Sequence, residues 1–400
     1  MTMTTSNEDL YYDPYDKTLD LDPYPVWRRM RDEKPVYRNE VYDFFALSRH
    51  ADVQAAHVDP RTYSSAYGHV LEMMQDEPYS VPVLVMEDPP RHEIHRSLLS
   101  RAFTPRRVSA IEPRIRALCA DLLDPFVGSG GFDYVQDFAA LVPSKVISEL
   151  IGVEPDDREE VRKLIDLCVY IEDGVGILNA TSRGASRQLH SYFCEQIERR
   201  HRVPRDDLMT ALAEAEVEID GDTRHLTTEE AAYLTQELTG GGTETVARLL
   251  SWACALLYSH PDQRADLVAD PSLLPNAIEE TLRYQAPSAV QGRRVTRDVV
   301  LHGVNIPAGS KVLLLTGSAG RDERKYVDPD RYDIRRRLDS HISFGHGIHF
   351  CIGAALARLE ARVALEETLS RFPTWEVDHD NEVQLHTSTI RGFERLPIRV

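Results

Sequence analysis

The chain has 400 residues, 42% of them hydrophobic, enough to bury a large core, and its 65 acidic and 46 basic residues leave a net charge of −19. That balance argues against a nucleic-acid partner, whose phosphates need a basic footprint. Five cysteines at irregular spacing, 119, 168, 194, 254 and 351, suit a reducing compartment better than a disulfide framework.

The N-terminal run from Met1 to Asp22 is polar and acidic, without the apolar stretch of a signal peptide or membrane anchor, so a soluble cytoplasmic protein is expected. Length alone suggests two or three domains. The only Gly/Ser cluster, Gly128-Ser129-Gly130-Gly131, is turn-sized, so a single domain spanning 1–400 is expected. Pro25 to Met30 reads as a helix, and Val36-Tyr37-Arg38 and Asp43-Phe44-Phe45-Ala46-Leu47 flank Asn39-Glu40 as a hairpin. Tyr63 to Pro90 lacks periodicity over a length that usually signals function. Its Met73, Met74, Val83, Leu84, Val85 and Met86 are either ordinary core or the cap of an apolar pocket. From Glu93 onward helical patterns dominate.

The spacing predicts a long helix over 228–259, with Thr227 and Glu230 as a capping box and Pro261 just beyond the end, a rod of about 48 Å. Gly240, Gly241 and Gly242 in its middle should cost about 3 kcal/mol against alanine. A large planar group and a small ligand pressed against the bare backbone would offset that loss. Thr245 is placed to bond back to the Gly241 carbonyl, which would widen the helix into a groove. A further helix starts at Pro275 and carries Glu280 and Arg283 at i, i+3; periodicity alone puts that pair in solvent, opposite Leu274, Ile278 and Leu282. Short strands follow between Val295 and Leu315, separated at Gly303 and at Pro307-Ala308-Gly309.

Phe344-Gly345-His346-Gly347-Ile348-His349-Phe350-Cys351-Ile352-Gly353 wraps one cysteine in glycines and aromatics directly ahead of a helical pattern. A cysteine is a strong metal ligand only as thiolate, and the free N–H groups of a helix start lower its pKa. Gly345, Gly347 and Gly353 let backbone pass where a side chain would strike a flat cofactor. A zinc site built from His341, His346, His349 and Cys351 lacks the usual Cys-x-x-Cys or helical His pair. A buried structural thiol leaves the glycines unexplained. Beyond Cys351, Leu356, Leu359 and Val363 form a packing stripe.

This segment matches F-G-x-G-x-H-x-C-x-G throughout and resembles the haem-binding signature of the cytochrome P450 family. The likeness extends from Asp22-Pro23-Tyr24-Pro25 to Leu396-Pro397. It implies a mainly α fold with small β-sheets, a long central helix over the haem and the cysteine loop beneath it, with Cys351 as axial ligand of the haem b iron and Phe344, Gly345 and Gly353 around it. Gly241-Gly242-Thr243-Glu244-Thr245 resembles the family's A/G-G-x-D/E-T-T, which implies that Thr245 helps protonate dioxygen, that Glu244 belongs to the proton path and that Gly241 lies against the cofactor; Val246 replaces the usual second hydroxyl. His92 and Arg96 resemble the family's H-x-x-x-R, and with Arg293 and His349 they are the implied propionate ligands. Glu280 and Arg283 resemble its E-x-x-R, which serves folding and haem incorporation, with Arg331 or Arg335 as third member. Ala319-Gly320-Arg321-Asp322 resembles A-N-R-D, with Gly320 for the usual Asn.

The resemblance implies monooxygenation of a small to medium apolar substrate. Candidate pocket residues are Val83, Leu84, Val85, Leu234, Leu238, Ala289, Val290 and Ile390. No flavin or iron–sulfur signature is present, so electrons from NAD(P)H are expected through a separate ferredoxin-type iron–sulfur protein and its reductase. Arg101, Arg106, Arg107, Arg358 and Arg362 are the expected docking charges. A monomer without membrane or nucleic-acid partners is expected. The rival readings are a peroxide-driven peroxygenase or haem-thiolate isomerase, a haem-binding sensor without turnover, and a Cys-His hydrolase using Cys351.

Overall fold

The fold is organised around the helix predicted over 228–259, which runs from Thr228 to Ser259 in a computed structural model describing residues 10–172, 175–219 and 221–400. The first nine residues of the polar N-terminal run lie outside the described set. Its start is fixed by the capping box: Thr227 Oγ1 accepts from the Glu230 N–H at 3.1 Å, and the Glu230 carboxylate accepts from the Thr227 N–H at 2.8 Å. The Arg224 guanidinium grips the same carboxylate and is the main reason Glu230 is held down at about 2.

Around it lie α1 (Tyr24–Glu33), α2 (His50–Val58), α3 (Arg91–Ser100), α4 (Glu112–Leu123), α5 (Leu141–Ile151), α6 (Arg158–Cys168) and α7 (Ala180–Arg202). The long helix is α8, followed by α9 (Leu274–Tyr284) and α10 (Ala354–Arg371). Helices α5, α7, α9 and α10 pack against α8. One apolar core joins α4, α8, α9 and α10 through Ile115, Leu250, Ile278, Leu356 and Val363, so the expected Leu356 and Val363 stripe is core. A second core lies between α5, α6, α7 and the first half of α8.

The principal sheet has five strands, β1 (Val36–Asn39), β2 (Phe44–Leu47), β3 (Tyr63–Ser64), β4 (Gln291–Val295) and β5 (Lys311–Leu314), in the order β1-β2-β5-β4-β3. The β1–β2 hairpin is the one read from sequence, with Asn39 opposite Phe44. Strand β4 is an interior strand between β5 and β3, with Arg293 opposite Val312. Strand alternation then turns Arg293 into the interior while Arg294 reaches outward to Asp76 at 3.0 Å. Among the described residues no helix is long and apolar enough to cross a membrane.

Candidate functional site

The cysteine loop closes on its own backbone. The Cys351 N–H donates to the Phe344 carbonyl at 2.8 Å, and the Cys351 carbonyl accepts at 3.3 Å from the N–H of Ala354, the first residue of α10. Gly345 and Gly347 carry φ of 73° and 70°, a region open to glycine at little cost. A Cβ on Gly347 would stand 2.6 Å from the His57 carbonyl oxygen, so this glycine is required by backbone packing on α2 rather than by space for a cofactor. Gly353 is different, since its Cβ would meet only Cys351 Sγ and Phe103, each at 4.0 Å. Burial pushes the Cys351 thiol up, opposed by the Gly353 N–H and by the charges of Arg96 and Arg358. The Phe344 ring lies under the Arg358 guanidinium, 4.5 Å from its centroid.

On α8 the three glycines separate into two kinds. A Cβ at Gly240 or Gly241 would meet nothing within 4 Å, whereas one at Gly242 would lie 2.9 Å from Ile147 Cγ1 on α5. Gly242 is therefore a helix–helix contact and Gly241 faces open space. Thr245 Oγ1 donates to the Gly241 carbonyl at 3.0 Å, the bond expected from the spacing. Glu244 is buried and ion-paired at 2.7 Å with Arg248 one turn along, and Arg248 also donates to the Phe393 carbonyl. The arginine stem lies on Gly392, where a Cβ would stand 2.6 Å from its Cδ.

A third group of residues is defined by what it lacks. His92 is buried with both ring nitrogens unpartnered, and His349 Nε2 is also unpartnered; the two rings lie 4.5 Å apart. Arg293 is 4% exposed, and the bond recorded for its guanidinium is to the Gly292 carbonyl at 2.8 Å; among the described residues no carboxylate pairs with it. Burial pushes Arg293 down to about 10, His92 to about 4 and His349 to about 2. Arg96 donates to the Phe350 carbonyl at 2.6 Å, which ties α3 to the cysteine loop. A buried guanidinium and unsatisfied imidazoles cost several kcal/mol unless an anion with hydrogen-bond acceptors joins them.

The chain matches the family model described as Cytochrome P450 over residues 178–397. Cytochrome P450 123 of Mycobacterium tuberculosis is 42% identical over 403 residues, covering 100% of this chain and 99% of that protein. This chain belongs to the cytochrome P450 family. The vitamin D(3) 25-hydroxylase of Pseudonocardia autotrophica is 36% identical, covering 100% of this chain and 98% of that protein. The solved structure of cytochrome P450 CYP109Q5 from Chondromyces apiculatus superposes with a TM-score of 0.86 at 35% identity, covering 97% of each chain. The fold expected from sequence is thus the observed one, and the protein is a haem-thiolate monooxygenase of the P450 type.

The residues present fit a haem. Two propionates would supply the anions that the Arg293, His92 and His349 cluster lacks, the bare Gly241 backbone leaves room for a flat ring, and Cys351 is a free cysteine in a preformed loop. His57, with both ring nitrogens unpartnered, and His69, with Nδ1 unpartnered, belong to the same electrostatic cluster through Arg293. Neither was legible in the sequence, because His57 and His69 both lie outside the family motifs, His69 within the aperiodic stretch 63–90.

Other expectations need correction. Glu280 and Arg283 are fully buried, not the solvent-facing pair that periodicity alone suggested, and they form a two-bond fork at 2.7 Å. Their third member is Arg336, whose Nε lies 3.1 Å from Glu280 Oε1. Arg331 and Arg335 are exposed and face Asp333 and Asp266 instead, because the 331–336 turn points only its last arginine inward. Gly320 packs on this network: a Cβ there would stand 2.3 Å from the Arg283 carbonyl oxygen.

The arginine patch is partly neutralised, since Arg358 is forked by Glu279 at 2.6 and 2.8 Å and Arg362 is held by Glu112 and Glu366. Of the pocket candidates, Leu84, Leu234 and Leu238 share one core cluster and Val83 and Val85 are half-buried beside it. Ala289 and Val290 lie in a different cluster with Tyr12 and Trp27, and Ile390 is half-buried, bridged to Ser288.

Proposed function

We propose that this P450 hydroxylates a small to medium apolar substrate with dioxygen and with electrons from NAD(P)H, delivered by a ferredoxin-type protein and its reductase. Bound haem supplies the activation of dioxygen and the oxidation of the C–H bond. Cys351 holds it from the α10 side, and Arg293, His92, Arg96 and His349 hold its two carboxylates. Thr245 keeps a hydroxyl at the Gly241 groove, where it can pass a proton, and Glu244 recharges that hydroxyl when it parts from Arg248. Arg248 balances the Glu244 charge while the path is idle. Half-buried Val83 and Val85 exclude water from above, while Leu234 and Leu238 close the wall behind.

The observation that carries this reading is the Thr245–Gly241 bond beside an open helix face, with an acid one residue away. A peroxide-driven enzyme has no need of that pair. Exposed Arg101, Arg106 and Arg107 are the charges left to guide an acidic electron donor, and the reading includes a single-domain, monomeric, cytoplasmic protein. The test is turnover of apolar compounds under labelled dioxygen with NADPH, ferredoxin and reductase. One labelled oxygen atom per product is expected; equal turnover with hydrogen peroxide alone would favour the peroxygenase reading.

A further inference from the structure

Glu237 stands one turn before Gly241 and two before Thr245, a spacing of four residues that stacks the three on one face of α8. It is half-buried. Its two carboxylate oxygens each take one backbone N–H from the segment above, Leu84 at 2.5 Å and Val85 at 2.8 Å. Among the described residues no lysine, arginine or histidine pairs with it. The charged group that acts on it is Glu87, of like sign and already occupied by His95 at 2.8 Å and Arg91 at 4.0 Å. Further along α8, Glu244 is balanced by Arg248. A carboxylate offers about four lone-pair sites, so two N–H bonds fix its orientation and leave roughly half its accepting capacity for something else.

We propose that Glu237 is the charge-selecting residue of the substrate pocket, taking an ammonium group carried by an otherwise apolar substrate and rejecting carboxylate-bearing ones. The inference rests on the reading of this face of α8 as the pocket wall. A carboxylate without a cation, on the helix face that is open at Gly241, is a cost in the empty protein that a cationic ligand removes, and the two N–H bonds already hold it in place, so little ordering entropy is lost on binding. Burial pushes the Glu237 carboxyl up to about 7, with Glu87 adding to the rise and the two N–H groups opposing it. The proton must leave before a cation docks, so affinity for a cation should rise as the pH rises through about 7. Affinity for a carboxylate should fall over the same range.

The experiment is optical titration of the haem-loaded enzyme with three probes of equal chain length: dodecyltrimethylammonium, 1-dodecanol and laurate. At pH 8 the cation is expected to bind about tenfold or more tighter than laurate, as for one close attraction set against one like-charge repulsion, with dodecanol between. At pH 6 the gap should shrink. Glu237→Gln keeps the side chain's size and one N–H bond, and should bring the cation and laurate to within about threefold of each other. Absence of the preference in the wild type, its persistence in Glu237→Gln, or an equal loss for all three probes overturns the proposal; the last would make Glu237 only a tether for the loop. A thiolate-type ferrous carbonyl spectrum recorded on the same sample separates this failure from failure of the haem reading.

Discussion

At the scale of single residues, this P450 buries ionisable groups that have no ion-pair partner among the described residues. Glu360 on α10 is the clearest: it is 1% exposed, and burial alone pushes its carboxyl up to about 8. A carboxyl raised in the folded state is protonated there while the unfolded chain ionises near its ordinary 4.5. Its contribution to stability is therefore complete below about pH 4.5 and is lost as the pH climbs towards 8. Replacing it with the neutral isostere removes that slope. Glu360→Gln should match the wild-type Tm near pH 5 and exceed it by several degrees at pH 8, measured by calorimetry on the same preparation. An unchanged difference at both pH values would mean that Glu360 is ionised in the native protein. The network of Glu280, Arg283 and Arg336 shows the opposite design, in which every buried charge is matched. The sequence made the first two legible through their i, i+3 spacing within a family motif. It could not show the third, because the turn at 331–336 decides which of four nearby arginines points inward.

At the scale of elements, α8 was readable end to end. Its capping box, its length and the Thr245 back-bond all follow from local spacing, and local spacing is what a sequence displays. The division of labour among its glycines was not readable, since it depends on Ile147 arriving from α5. Two substitutions separate the roles. Gly241→Ala places a methyl in open space and should stabilise the haem-free protein by up to about 1 kcal/mol through helix propensity. Gly242→Ala drives its methyl into Ile147 and should destabilise by about 1–3 kcal/mol. Urea unfolding of both apoproteins measures this directly, and equal effects of the two would contradict the assignment. The strand β4 teaches a related lesson. Arg293 and Arg294 are adjacent and alike in sequence, and only the pleat of an interior strand sends one to the buried cluster and the other to Asp76. The family resemblance carried Arg293 by its place after the Glu280–Arg283 helix; nothing local carried His57 or His69, which reach the same cluster from outside any family motif.

At the scale of the whole molecule, the chain carries three sites that its own side chains leave incomplete. The cysteine loop leaves a thiol whose burial opposes ionisation, the β4 and α3 cluster leaves cations and imidazoles without an anion, and α8 leaves bare backbone. A thiolate-ligated haem with two propionates completes all three, which explains why features far apart in sequence depart from ordinary packing together. The surface was less legible than the interior: of the five arginines that stand out in sequence, Arg358 and Arg362 are held by carboxylates and Arg107 stands 3.8 Å from Asp206, which leaves Arg101 and Arg106 without an ion pair among the described residues. The measurement closest to the central claim is the ferrous carbonyl spectrum of the haem-loaded protein. The long-wavelength Soret band of a thiolate complex is expected in the wild type and should be lost in Cys351→Ala. A short-wavelength band of the imidazole type in the wild type, or retention of the long-wavelength band without Cys351, would contradict the account.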